Sequence, residues 1–241
     1  MDLKLVRSIH GHLVPEMRVT LEQTSSLWYD QMYVNIPDPI NLKPENRIEF
    51  LKGRMIYLTL WNMVVQSIFY TICILNDCFG SNEVQKKTPL IKKLKDMLFT
   101  SVAFPVAMFV GLTFWGLYAV DRELVFPKSL DPYFPVWLNH VMHTNIMIFI
   151  LIEMITSFRV YPKQKTGLTI LIGFMLTYLI WMHVVYYKTD VWVYPVMAVL
   201  NTPLRICFFL VLLGLGVTLY KLGDFINTRV WLKQIKHAKK A

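Results

Sequence analysis

Hydrophobic residues in this chain are gathered into five long runs separated by short polar segments, instead of alternating with polar residues at short period. Each run is long enough to supply the about 20 predominantly apolar residues that a helix needs to cross a bilayer. The pattern therefore predicts an all-α, polytopic helical membrane protein with about five transmembrane helices. The predicted spans are residues 54–77, 97–120, 135–158, 166–187 and 196–222.

Prolines and charges mark how the chain is divided around these spans. Pro105 and Pro203 predict bends within the second and fifth spans. Residues 1–52 carry a charge every few positions and predict an N-terminal arm that does not span the membrane, either lying on the surface or loosely ordered. We therefore expect three parts: this arm, a helical transmembrane domain over residues 53–224 and a basic tail over residues 225–241.

Composition narrows the class of protein further. Hydrophobic residues make up 55% of the chain and charged residues 17%, which is typical of an integral membrane protein. The formal net charge of +9 arises from loops and from the C-terminus, so it indicates membrane topology and contact with membrane lipids, and no nucleic-acid partner is expected. The three cysteines have neither a disulfide pattern nor a zinc-ligand spacing, and we expect no cofactor and no metal.

The basic residues also predict an orientation. Sorting the loops by alternate sides places fourteen lysines and arginines on the side of the C-terminus and seven on the opposite side. By the positive-inside rule the C-terminus is cytosolic, and the first and third spans begin at the luminal or extracellular face. We expect an integral multi-pass protein of the endoplasmic reticulum or plasma membrane.

Polar side chains inside the predicted spans mark the candidate site, because an ionisable group in hydrocarbon is costly and is by default functional. His140 and His143 lie near the start of the third span, and Thr59 lies near the start of the first. At about 1.5 Å per residue, Thr59 and His143 both lie roughly 8 to 12 Å below the same membrane face. A hydroxyl beside an imidazole is the minimum arrangement for nucleophilic acyl transfer. This pair therefore predicts attack of Thr59 on a lipid ester, with His143 as the base.

Each of these residues has an ordinary structural alternative. A threonine in a spanning helix commonly donates to the carbonyl one turn earlier, and His143 can act as a structural hydrogen-bonding residue. His140, three residues before His143, can compete for the role of base. The two histidines lack a carboxylate or cysteine at ligand-like spacing, so zinc is not expected.

Three further residues are candidates for a supporting role. Asn62 and Asn139 lie about one turn from Thr59 and His143, respectively. Either amide can donate to an oxyanion or fix the imidazole tautomer, although an interhelical hydrogen bond is the more common role. Arg205, which the pattern places well inside the fifth span, is expected to pair with Glu153, and binding of a fatty-acid carboxylate is the alternative.

Several stretches of the chain, covering about residues 50–225, resemble the family of androgen-induced gene 1 protein and androgen-dependent TFPI-regulating protein. The blocks that carry the resemblance are Thr59-Leu60-Trp61-Asn62 with Gln66-Ser67-Ile68-Phe69-Tyr70, Leu98-Phe99-Thr100 with Ala103-Phe104-Pro105-Val106, Pro135-Val136-Trp137-Leu138-Asn139-His140-Val141-Met142-His143-Thr144, Tyr161-Pro162 with Lys165-Thr166-Gly167-Leu168-Thr169, and Trp192-Val193-Tyr194-Pro195-Val196. The resemblance implies a transmembrane threonine hydrolase that cleaves fatty acid esters of hydroxy fatty acids. On these blocks the family's threonine corresponds to Thr59 and its histidine to His143.

The chain departs from the family at its N-terminus. The family usually has six spans with both termini cytosolic, whereas here the leading apolar helix is replaced by the charged arm, and five spans place the N-terminus outside. Two other functions compete with hydrolysis. One is a non-catalytic membrane scaffold or regulator, in which Thr59 and His143 hold helices together. The other, a transporter with a polar relay that includes Glu153 and Arg205, ranks last because the chain lacks an inverted repeat.

Overall fold

The computed structural model describes residues 3–34, 54–80 and 89–232, with side chains from residue 15 onward. Within these ranges the chain forms seven helices, two of them with an internal π turn, and no β-strand. Short 3-10 segments precede α2 and connect α3 to α4. The helices are α1 (Leu3–Tyr33), α2 (Leu58–Phe79), α3 (Leu90–Val120), α4 (Val136–Thr156), α5 (Gln164–Thr189), α6 (Pro195–Val199) and α7 (Thr202–Val230).

Five of these helices, α2, α3, α4, α5 and α7, are long and apolar enough to cross a membrane. The prediction of an all-α polytopic membrane protein is therefore confirmed. The central helix is α3, because 72% of its apolar stretch is buried inside the protein, compared with 22% for α5 and for α7. The largest apolar core surrounds α3 and includes Phe69, Phe104, Ile150 and Tyr220.

Two π turns interrupt the regular helices, Phe99–Ala103 in α3 and Val141–Asn145 in α4. The first lies directly before Pro105, which has no backbone N–H to donate, so the bend predicted there takes the form of a π turn. The Ala103 carbonyl oxygen at this turn accepts a hydrogen bond of 2.9 Å from Nε2 of Gln66. Gln66 thereby ties α2 to α3 and satisfies backbone that the π turn exposes. Single π turns of this kind occur often at functional sites.

The second span begins earlier than the hydrophobic pattern predicts, at Leu90 instead of residue 97. The pattern misses these two turns of helix because they contain Lys92 and Lys95, which are nevertheless buried, each with 2% of its surface exposed. Lys92 pairs with Asp96 at 3.0 Å. The Lys-rich segment before it, residues 81–88, lies outside the described residues.

A buried ion-pair network surrounds the start of α3. Arg159 forms an ion pair with Glu153 of α4 and another with Asp96 of α3 at 3.5 Å. Its guanidinium also lies over the rings of Phe69 and Phe99, with distances of 5.5 and 5.0 Å to the ring centroids. The opposite charges compensate one another, as buried ionic groups in a membrane require. This network fixes α3 and α4 at the end of the bundle away from Thr59.

Residues 3–33 of the N-terminal segment form a helix that packs along α2, and the sequence did not predict this helix. It was not predicted because α1 carries several charges and contains no long uninterrupted apolar run. Its polar residues Gln23, Ser26 and Asp30 are turned inward and buried, whereas Met17 and Trp28 are exposed. Residues 35–52 of the predicted arm and residues 233–241 of the predicted tail lie outside the described residues.

The contacts of α1 show that it runs antiparallel to α2. In the first half of α1, a carboxylate oxygen of Glu16 lies within 4.8 Å of Sγ of Cys73, in the last two turns of α2. Midway, Oε1 of Glu22 accepts a hydrogen bond of 2.6 Å from Asn145. Just past its end, Val34 packs in a cluster with Leu60, at the start of α2. α1 therefore packs along α2, although it is not one of the five helices that are apolar enough to cross a membrane.

Candidate active site

The structure brings Thr59 and His143 into direct contact. Thr59 is the second residue of α2, and His143 lies in the π turn of α4. Oγ1 of Thr59 and Nε2 of His143 are 3.2 Å apart, and the imidazole is 7% exposed. The sequence predicted that these two residues could meet at the same membrane face, and the contact is present.

The other ring nitrogen of His143 is held by Asn139. Nδ1 lies 3.0 Å from the backbone carbonyl oxygen of Asn139 and 2.8 Å from its side-chain Oδ1. A carbonyl oxygen accepts hydrogen bonds and cannot donate them, so Nδ1 carries the proton. Nε2 then has a free lone pair directed at Thr59, whose hydroxyl donates to it. This is the tautomer that a general base needs.

The face of the imidazole is covered by Phe114 of α3. The two rings are nearly parallel, at 13°, with centroids 3.6 Å apart. Gly111, one turn earlier on α3, permits this approach, because a Cβ atom there would lie 2.7 Å from the backbone oxygen of His143 and would clash with Met147. Close packing of α3 on α4 therefore fixes the orientation of the ring.

Two tyrosines hold the beginning of α2, where Thr59 lies. The Leu58 N–H donates to the Tyr194 hydroxyl at 3.1 Å, and the Tyr178 hydroxyl donates to the Ile56 carbonyl at 3.0 Å. The two hydroxyl oxygens are 3.0 Å apart. Burial raises the pKa of Tyr194 to about 12, so its hydroxyl stays protonated beside Tyr178. The position of Thr59 is thus set by hydrogen bonds from α5 and from the segment before α6.

Thr59 faces a cavity of about 240 Å³ between α2, α3, α5 and α7. Of the 21 residues that line it, 17 are apolar and four carry a hydroxyl group. Leu176 of α5 and Leu210 of α7 are part of this wall and are also 43% and 63% exposed on the outer surface of the bundle. The cavity therefore reaches the surface of the bundle on the side of α5 and α7, and the contents that it favours are hydrocarbon.

His140, the second candidate base, lies apart from Thr59. It is exposed, its Nδ1 is 3.2 Å from the Thr144 hydroxyl, and its ring stacks on Trp115 with centroids 5.5 Å apart. The two histidines thus contact different hydroxyl groups, and the structure does not bring them together at one ligand position.

Asn62 is fully buried one turn after Thr59. Its Oδ1 accepts a hydrogen bond of 3.3 Å from Gln66, and it is not part of the cavity wall. Its Nδ2 has no acceptor among the described residues. The observed bond to Gln66 lies within α2 and does not connect Asn62 to Thr59 or His143.

The predicted pairing of Arg205 with Glu153 is wrong. Glu153 pairs with Arg159, whereas Nε of Arg205 donates to the Met197 carbonyl at 2.7 Å and its guanidinium lies 4.8 Å from the Trp192 ring centroid. The fifth span is broken after α6, so Arg205 lies in the first turn of α7 instead of well inside the membrane. An arginine at a helix end reaches the interface without a buried partner.

One group of residues among those described has metal-ligand atoms close together, namely Glu16, Cys73 and Glu153, with these atoms within 4.8 Å of one another. Glu153 is already paired with Arg159. The Arg159 guanidinium therefore already provides a positive charge beside Glu153.

The sequence did not single out Gly111, Phe114 or Tyr178 as parts of the site. Phe114 and Tyr178 are aromatic residues within apolar runs, and nothing in their spacing distinguishes them from ordinary core residues. Tyr194 did carry a signal, because the block Trp192-Val193-Tyr194-Pro195 predicts an interfacial anchor. Its hydroxyl instead holds the backbone of α2.

Comparison with known proteins identifies relatives over most of the chain. Androgen-dependent TFPI-regulating protein from Mesocricetus auratus is 38% identical over 211 residues, which is 87% of this chain and 90% of the relative. Androgen-induced gene 1 protein from Homo sapiens is 39% identical over 186 residues, covering 74% of this chain and 78% of the relative. No solved structure matches. The profile described as FAR-17a/AIG1-like protein matches residues 28–228, and the chain belongs to this family.

Proposed function

We propose that this protein is a membrane-embedded hydrolase that cleaves the ester bond of fatty acid esters of hydroxy fatty acids. The observation that carries the proposal is the contact of 3.2 Å between the Thr59 hydroxyl and Nε2 of His143, with Nδ1 of the same ring held by Asn139. A nucleophile, a base and a group that orients the base are the three parts expected of a covalent hydrolase.

The reaction proceeds in two stages. Oγ1 of Thr59 attacks the ester carbonyl carbon while His143 takes the hydroxyl proton at Nε2. The carbonyl re-forms, the bond to the hydroxy fatty acid breaks, and His143 returns the proton to the departing oxygen. Water, deprotonated by the same nitrogen, then attacks the acyl-threonine and releases the fatty acid, which restores Thr59.

The cavity supports a lipid substrate. Its wall is apolar apart from four hydroxyl-bearing residues, and it contains no charged side chain. A substrate with two hydrocarbon arms and an ester between them can place one arm in this space while the ester lies beside Thr59. Thr59 is in the first turn of α2, at its N-terminal end. The reacting bond therefore stays close to the membrane boundary and to the water that deacylation needs.

The loop charges support an integral membrane location with the C-terminus in the cytosol. In this orientation Thr59 and His143 lie toward the luminal or extracellular face.

The test is labelling of the full chain in membranes with a fluorophosphonate probe, together with hydrolysis of a fatty acid ester of a hydroxy fatty acid measured by mass spectrometry. Thr59→Ala and His143→Ala are expected to abolish both signals. Thr71→Ala is the matched control, because Thr71 is also in α2 and its hydroxyl only donates to the Ser67 carbonyl at 2.7 Å. Labelling and turnover that survive Thr59→Ala would contradict the proposal.

The competing function is that of a non-catalytic regulator or scaffold. The name of one group of relatives describes regulation of TFPI. A well-expressed protein that neither reacts with the probe nor hydrolyses the ester, and whose effects on cells persist in Thr59→Ala, would favour this alternative.

A further inference from the structure

The cavity beside Thr59 contains one hydroxyl group that the dyad and its supports do not use. Four residues of the wall carry hydroxyls: Thr59, Thr113, Tyr178 and Tyr194. Thr59 bonds His143, and the two tyrosines bond each other and the backbone before α2. The Thr113 hydroxyl is buried and has no hydrogen-bond partner among the described residues.

This free hydroxyl departs from the behaviour of other helical threonines in the protein. Thr71, Thr177 and Thr218 each donate to the carbonyl oxygen four residues earlier, at 2.7, 2.8 and 2.8 Å. Such back-bonding is the ordinary way to satisfy a threonine inside a spanning helix. A buried hydroxyl without any partner is unfavourable, and its presence in a native structure calls for an explanation. A polar atom of a bound ligand provides one.

Thr113 lies in the wall of the same cavity as Thr59. Phe109, Val110, Thr113, Phe114 and Leu117 of α3 form one side of the cavity, and Thr113 is its single polar member. The next residue, Phe114, is stacked on His143. Thr113 is therefore held by the same packing of α3 on α4 that fixes the base, and it shares the cavity with the nucleophile.

We propose that the Thr113 hydroxyl donates a hydrogen bond to the carbonyl oxygen of the bound ester and stabilises the oxyanion formed there; this inference rests on the proposed function. When Oγ1 of Thr59 bonds to the carbonyl carbon, the carbonyl π electrons move onto this oxygen and the Thr59 proton moves to Nε2 of His143. The charge on the oxygen then strengthens its hydrogen bond to Thr113. The cavity is otherwise apolar, and its one unused donor, the Thr113 hydroxyl, is matched by the single carbonyl oxygen of an ester.

The experiment compares Thr113→Val with Thr113→Ser in the full chain in membranes, using a fatty acid ester of a hydroxy fatty acid as substrate and a fluorophosphonate as probe. Valine keeps the shape of threonine and removes the donor, so kcat is expected to fall about 100-fold with little change in KM, as on loss of one oxyanion donor. The phosphonyl oxygen occupies the same position as the ester oxygen, so the rate of labelling is expected to fall in parallel. Serine keeps the hydroxyl and is expected to restore both rates.

Thr177→Val is the matched control, because it makes the same chemical change on an exposed face of α5 where the hydroxyl only donates to Gly173. It is expected to leave kcat and the labelling rate unchanged. Wild-type kcat in Thr113→Val would overturn this inference, and so would a rise in KM alone, since either excludes stabilisation of the oxyanion. In both cases Thr59-dependent hydrolysis still stands. Absence of Thr59-dependent turnover in the wild type would instead overturn both proposals.

Discussion

The imidazole of His143 is held by Asn139, one turn earlier in α4, because two oxygen atoms of Asn139 accept from the same ring nitrogen, Nδ1. The side-chain oxygen of Asn139 lies 2.8 Å from Nδ1 and the backbone oxygen 3.0 Å from it. The amide thus has the position that a carboxylate occupies in a catalytic triad, without placing a negative charge in the membrane.

Replacing Asn139 with leucine removes one of these two acceptors. The backbone carbonyl still fixes the tautomer, but the ring is held less firmly, so we expect kcat to fall by about 10- to 100-fold, the range typical of partners that orient metal-bound imidazoles. Turnover of the lipid ester and the rate of fluorophosphonate labelling measure the effect. Asn139→Asp, which retains an acceptor for Nδ1, is the control and is expected to keep most of the activity. An Asn139→Leu variant with the wild-type kcat would show that the side chain does not position the base.

Gly111 determines how closely α3 approaches α4. A Cβ atom at this position would lie 2.7 Å from the His143 carbonyl oxygen and clash with Met147, so Gly111→Ala forces the two helices apart. Overpacking of this kind lowers the free energy of unfolding by about 1–3 kcal/mol. We expect a lower thermal midpoint in detergent and a loss of activity as Phe114 moves from His143.

Gly116→Ala provides the comparison on the same helix. No atom lies within 4 Å of the Cβ position at Gly116, so the added methyl group in this variant meets no steric clash. The higher helix propensity of alanine stabilises the variant by about 0.5–1 kcal/mol. Its thermal midpoint is expected to equal or exceed that of the wild type. If Gly111→Ala behaved in the same way, the contact between α3 and α4 would not be limiting.

The antiparallel course of α1 predicts on which side of the membrane the N-terminus lies. Glu16 is near the end of α2 and Val34 is near its beginning, while Met17, Leu21, Trp28 and Met32 form an exposed apolar stripe on the outer side of α1. The hydroxyls of Thr20 and Thr24 donate to carbonyls of their own helix, at 2.8 and 2.7 Å, as hydroxyls facing lipid must. We therefore expect α1 to cross the bilayer beside α2, with both chain termini on the same side.

Epitope tags read in selectively permeabilised cells test this arrangement. A tag before residue 1 is expected to have the same accessibility as a tag after residue 241 and as one inserted within residues 81–88. A tag inserted after Asp190, between α5 and α6, is expected to be on the opposite side. An N-terminal tag that shares the side of the Asp190 tag would show that α1 does not cross.

The five apolar spans and the Thr59–His143 contact could be predicted because both follow from positions along the sequence alone. Apolar length identifies a span, and counting from the span ends gives depth. The start of α3 and the whole of α1 were missed because their charged residues interrupt any apolar run, and the burial of these residues depends on neighbouring helices. Lys92 reads as a loop residue until Asp96 and the surrounding helices enclose it.

The partners of Arg205 show a second limit. Glu153 was its nearest match by residue type, but the break after α6 moves Arg205 to a helix end. The chain after α4 that brings Arg159 back to Glu153 has no periodic signal. The stacking of Phe114 on His143 was equally hidden, because it depends on the missing side chain of Gly111 and not on the character of Phe114.

Leu176 and Leu210 belong both to the wall of the cavity and to the exposed surface of the bundle. Under the proposed function, an ester dissolved among lipid chains would reach the cavity between α5 and α7 without entering water. For an enzyme supplied in this way, the concentration that governs the rate is the mole fraction of ester in the bilayer. Inert phospholipid added at constant total substrate then slows turnover by dilution in two dimensions, whereas a larger volume of buffer leaves it unchanged.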